Sequence, residues 1–82
     1  MKRETFRAND NIEVNPRVCA GQPVIKGTRI PVSVILEQLA EAELWERVLA
    51  AYPELTRADI KAALDYARDS VLHTEFTALN AA

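Results

Sequence analysis

The sequence predicts a mainly α domain: three helices in a helix-turn-helix arrangement behind a short N-terminal β-hairpin. Three observations predict it. Val24-Ile25-Lys26-Gly27-Thr28-Arg29-Ile30-Pro31 reads as a tight hairpin running into a helix, with Gly27 free to take positive φ. Apolar residues then recur at helical spacing in two further segments. Pro53-Glu54-Leu55 separates those segments by the short turn that a helix-turn-helix requires.

With 82 residues the chain is expected to form one domain with a modest core, which favours support from a dimer or a partner. Residues 1–10 read as a flexible basic arm, residues 11–71 as the domain, and residues 72–82 as a C-terminal tail. Asn11-Ile12-Glu13-Val14 alternates as a short strand does, and Asn15-Pro16 marks a turn. The hairpin around Gly27 follows, and Pro31 pre-sets φ for the helix after it.

Val32, Ile35, Leu36, Leu39 and Ala40 fall on one face of the first helix. The second helix is expected over about Leu44 to Tyr52, with Leu44, Val48, Leu49 and Tyr52 as its apolar side and Pro53 as its stop. Trp45 either covers the seam between helices or meets a partner. The third helix has the clearest start. Thr56-Arg57-Ala58-Asp59 resembles a capping box with Asp in the usual Glu position, and Leu55 and Ile60 suit a hydrophobic staple. Its inner face is read as Ile60, Ala63, Leu64, Ala67 and Val71, its outer face as Arg57, Lys61, Asp65 and Arg68.

Charge is divided unevenly. Residues 1–31 carry six Lys and Arg against three acids, whereas residues 32–82 carry four against nine. The overall net charge of −2 argues against a general nucleic-acid binder, which needs clustered cations. The basic arm, with Lys2, Arg3 and Arg7, has the footprint of a minor-groove contact or of a solubilising terminus. Thr56, Arg57 and Lys61 stand where a reading helix would meet base edges. The same helix carries Asp59, Asp65 and Asp69, so its polar face reads equally as a solvated surface.

Gly27, Thr28 and Arg29 read as a structural corner, with Thr28 and Arg29 satisfying local carbonyls and a nearby carboxylate; an anion-binding corner is the other reading. Phe76 and Leu79 in the tail are candidate partner contacts, against a frayed end. Catalysis finds little support: His73 and Cys19 lie far apart with no third group to orient them. No metal-ligand spacing or phosphate-binding loop is present, so no cofactor or metal is expected. The single cysteine rules out an internal disulfide, and the absence of an apolar span or signal-like start leads to a cytoplasmic, non-membrane expectation.

Pro16-Arg17-Val18-Cys19-Ala20-Gly21-Gln22-Pro23-Val24-Ile25-Lys26-Gly27-Thr28-Arg29-Ile30-Pro31-Val32 resembles the signature of the bacterial family called domain of unknown function 433. Tyr52-Pro53-Glu54-Leu55-Thr56-Arg57-Ala58-Asp59-Ile60-Lys61-Ala62-Ala63-Leu64 resembles that family's second block, and the likeness covers about residues 11–70. The resemblance implies a homeodomain-like or winged-helix-like fold. It further implies an antitoxin of the type II, VapB-like kind, paired with a PIN-like ribonuclease toxin; taken with the charge split, it leads to the expectation that the chain represses its own operon as a homodimer. The alternative is a protein-interaction module of helix-turn-helix shape that does not bind DNA. Two departures stand out. Ala42-Glu43-Leu44 replaces a common Gly-Glu-Ser, removing a C-terminal Gly and an N-cap hydroxyl. Ala20 replaces a common Gly, from which no positive φ is expected at that corner.

Overall fold

A computed structural model describes the backbone of residues 6–81 and the side chains of residues 9–73. It is mainly helical, a small helix-turn-helix-like fold with an antiparallel hairpin at its N-terminal end. Strands β1 (Phe6–Asn9), β2 (Ile12–Val14) and β3 (Pro23–Ile25) precede helices α1 (Val32–Ala42), α2 (Trp45–Ala51) and α3 (Arg57–Ala81).

The strand order is β1-β2-β3, both pairings antiparallel. Ile12 pairs with Ile25 and both are buried, so this pair carries the sheet's inner face. Residues 6–9, read from the sequence as part of a flexible arm, instead form the outer strand, with Phe6 opposite Val14 and Arg7 opposite Glu13. The reason is the Asn9-Asp10-Asn11 turn: the Asn9 side-chain carbonyl accepts the Asn11 N–H at 2.9 Å, folding the chain back on itself.

The turn at Gly27 forms as expected, with Gly27 at φ 82° and the Thr28 N–H donating to the Ile25 carbonyl at 2.9 Å. Its second limb is a single bridge, Val24 to Pro31, because Pro31 has no N–H to continue a ladder and α1 begins one residue later. β3 therefore pairs chiefly with β2.

The core consists of Ile12, Val24, Ile25, Ile30, Val32, Ile35, Val48, Leu55, Ile60, Ala62 and Ala63. It draws on the sheet and all three helices, and Ala63 lets α3 pack closely. α1 buries Val32 and Ile35 and packs Leu36 and Leu39 at the core's edge. α2 starts at Trp45 rather than Leu44; Leu44 holds the N-cap position and is 54% exposed. Leu64 and Val71, expected on the inner face of α3, are 36% and 56% exposed: the buried side of the helix runs through Ile60, Ala62, Ala63 and Tyr66 and leaves Leu64 off it, and Val71 falls in the exposed run 68–73. The helix continues through residues 72–81, which were expected to form a separate tail. No Gly or Pro interrupts α3, and Ala recurs along it, so nothing local stops it.

Candidate functional site

The turn between α2 and α3 is built from local bonds. The Leu55 N–H reaches the Tyr52 carbonyl at 2.9 Å. The Thr56 N–H donates to the Asp59 carboxylate at 3.0 Å, and the Asp59 N–H donates to the Thr56 hydroxyl at 3.2 Å, completing the reciprocal box. The other Asp59 oxygen accepts from the Asn11 side-chain amide at 2.9 Å, while the Asn9 amide donates to the Ala62 carbonyl at 3.3 Å. The β1–β2 turn is thus pinned to the start of α3. Sequence reasoning missed Asn9 and Asn11; the Asn-Asp-Asn run was a turn signal but did not reveal its distant partner.

This geometry places Thr56, Arg57 and Lys61 on an exposed side of α3. Thr56 spends its hydroxyl on the cap. Arg57 lies with its guanidinium 5.3 Å from the Trp45 ring centroid and 3.5 Å from the Glu46 carboxylate. Trp45, half-buried against the core, therefore serves as a seam between α2 and α3 and as a platform for Arg57. Lys61 binds Asp65 at 2.8 Å. Arg68 reaches Asp65 at 3.8 Å and Asp69 at 3.1 Å. The hydrogen bond from Lys61 holds the Asp65 carboxyl below the usual aspartate range against an opposing desolvation effect, with lesser help from the charges of Lys61 and Arg68. Each cation of this face has an acidic neighbour, so the helix presents little net positive charge.

A second surface is apolar. Pro23, Val32, Leu36, Tyr66, Ala67 and Val71, with Gln22, Ser33 and Ser70, line an open groove of about 310 Å³ between α1 and α3. Val71, which lines it, and the next residue, Leu72, are 56% and 57% exposed.

The corner at Gly27 holds itself together. The Thr28 hydroxyl donates to the Ile25 carbonyl at 2.8 Å and accepts the Ile30 N–H at 3.0 Å. The Arg29 carbonyl accepts from the Cys19 thiol at 3.3 Å, and the Arg29 side chain borders an open hollow with Glu13 and Glu54. One expectation fails here: Ala20 has φ 59°, between Cys19 at 52° and Gly21 at 84°. The tight turn is left-handed through all three residues because the chain must double back to deliver Pro23 to β2. An unfavourable backbone region at Cys19 and Ala20 is accepted for that closure.

Lys2 and Arg3 lie outside the described residues, and so do the side chains of Arg7, Phe76 and Leu79. Among the described residues no group of three His, Cys, Asp or Glu could hold a metal ion. No described helix is long and apolar enough to cross a membrane.

Residues 12–67 match the family described as "Protein of unknown function (DUF433)". The chain is similar to the uncharacterized protein y4eO of Sinorhizobium fredii (strain NBRC 101917 / NGR234), at 34% identity over 65 residues. That match takes in 79% of this chain but only 29% of the longer protein's length. The fold is similar to the crystal structure of a DUF433 member from Anabaena variabilis ATCC 29413, with a TM-score of 0.72 and 32% identity, covering 84% of this chain and 68% of that one.

Proposed function

This chain belongs to the DUF433 family, and we propose that it is the antitoxin of a type II toxin-antitoxin module, a cytoplasmic domain that neutralises a PIN-like ribonuclease toxin by direct protein contact. The family resemblance supports the toxin and the pairing; the surface supports protein contact as the mode of action. The observation that carries it is the pairing of an apolar groove with a reading helix whose cations are already engaged. Exposed Val71 and Leu72 beside an open apolar groove are the marks of a surface that another protein covers. In this role the helix-turn-helix is a scaffold for protein contact.

Operator repression by a homodimer is the second reading, favoured by one observation. Arg57 and Lys61 remain solvent-facing at the N-terminal end of α3, and weak surface ion pairs give way readily to phosphate.

Co-expression with the toxin-like product of the adjoining reading frame tests the first reading. Restored growth and a stable co-purified complex are expected; continued toxicity with no complex overturns it. A salt series on the operator fragment tests the second. Specific binding at about 50 mM salt that weakens steeply toward about 200 mM supports repression. No binding at low salt, with or without toxin, removes it.

A further inference from the structure

We propose, building on the protein-binding reading, that the groove between α1 and α3 receives a cationic amphipathic helix of the partner protein. One wall is α1, with Ser33 and Leu36; the other is α3, with Tyr66, Ala67 and Val71. Ala67 and Ser70 are small, so an incoming side chain meets little obstruction between the larger residues. At about 1.5 Å per residue, the stretch from Tyr66 to Val71 rises roughly 7.5 Å, a little under one and a half turns. That length suits two apolar anchors, at i and i+3 or i+4.

A helix fits and an added strand does not. Both long walls are helices whose backbone groups are bonded internally. The nearest strand, β3, is at the sheet edge, but its outer side is taken by the Ile25–Ile30 bond and the Val24–Pro31 bridge. Pro23 at its start has no N–H to offer.

Charge selects the occupant. The segment forming α1, α2 and the turn after them carries Glu37, Glu41, Glu43, Glu46 and Glu54 against Arg47 alone, with Glu46 placed against Arg57 and Glu54 on the hollow beside Arg29, away from the groove. Among the described residues only Glu46 of these five forms an ion pair. Glu37 stands one helical turn after Ser33 and is exposed, so it flanks the groove. A second copy of this chain would bring the same acidic flank against itself, whereas Lys or Arg beside the anchors of a partner helix would be drawn to it.

The test is an amide-resonance titration of the full chain with two synthetic helical peptides. They share one Leu stripe and differ only in carrying Lys or Glu at the flanking positions. Saturable shifts centred on Ser33, Leu36, Tyr66 and Val71 are expected, with at least tenfold tighter binding of the Lys peptide at low salt and a narrowing gap as salt rises. Glu37→Lys, at an exposed position, is expected to abolish that preference without unfolding the chain. Equal binding of both peptides, shifts elsewhere, or no saturable binding overturns the proposal. Concentration-dependent shifts of the same residues without peptide also overturn it, because they make the groove a self-interface. The growth assay separates this inference from the one it builds on. If the natural chain neutralises the toxin and both Glu37→Lys and Ser33→Trp do so equally well, the groove is excluded while the antitoxin function stands.

Discussion

The two turns that join the helices solve the same problem with opposite means. Between α2 and α3, every favourable device is present: a hydroxyl N-cap, a reciprocal carboxylate, and buried Leu55 and Ile60 on either side of the cap. Between α1 and α2, none is. Glu43 takes the left-handed C-cap conformation at φ 65°, where Gly is the usual occupant, and Leu44 caps α2 without a side-chain hydrogen bond. The comparison teaches that only one of the two helix junctions is specified locally. The other is held by what surrounds it: Val48 wholly buried, and Leu39 and Trp45 packed on the core.

The largest effect is expected at the specified turn. Asp59→Ala removes the carboxylate that serves both the Thr56 N–H and the Asn11 amide, and should cost about 2 kcal/mol in chemical unfolding. Thr56→Ala, which loses the cap but leaves Asn11 its partner, should cost about 1 kcal/mol. Equal losses would mean that the link to the β1–β2 turn contributes nothing. At the unspecified turn the sign reverses. Glu43→Gly relieves the left-handed backbone and should stabilise by about 0.5–1 kcal/mol. A destabilisation there would show that the Glu43 side chain compensates for its backbone.

The smallest effect belongs to the Lys61–Asp65 pair, exposed and screened by salt. Because Asp65 is held below its ordinary value, its stabilising contribution is present at neutral pH. It is lost as acid protonates it, below about pH 4. Lys61→Ala should therefore be slightly less stable than the natural chain at pH 7, and the two curves should converge in acid. Parallel curves down to low pH would show that Asp65 titrates free of Lys61.

Much of the helical half was legible in the sequence because its cues are local. Pro53 stops α2, the Thr56–Asp59 box starts α3, and the spacing of Val32 and Ile35 marks the buried side of α1. The corner at Gly27 was legible for the same reason: Thr28 bonds to residues two and three positions away. The candidate site was legible only in part. Arg57 and Lys61 were picked out as exposed cations, but Arg57 meets Trp45 and Glu46 from another helix, a pairing that spacing does not announce. The apolar groove escaped because its walls come from residues 22–36 and 66–71, far apart along the chain.

Local chemistry by itself determined that α2 stops before Pro53 and α3 starts at the Thr56 box, that Val32, Ile35 and Val48 turn inward, and how the Gly27 corner closes. Those outcomes depend on bonds and periodicities spanning a few residues. Only the tertiary structure decided that residues 6–9 join the sheet and that Cys19, Ala20 and Glu43 occupy left-handed backbone. It also decided that Leu64 and Val71 stay exposed. For residues 6–9 a local Asn9–Asn11 bond turns the chain, and the Asn9 and Asn11 amides are held by Ala62 and Asp59 of α3; elsewhere closure of the sheet and burial of Ile12, Ile25 and Val48 override local preference when the packing they secure outweighs the strain.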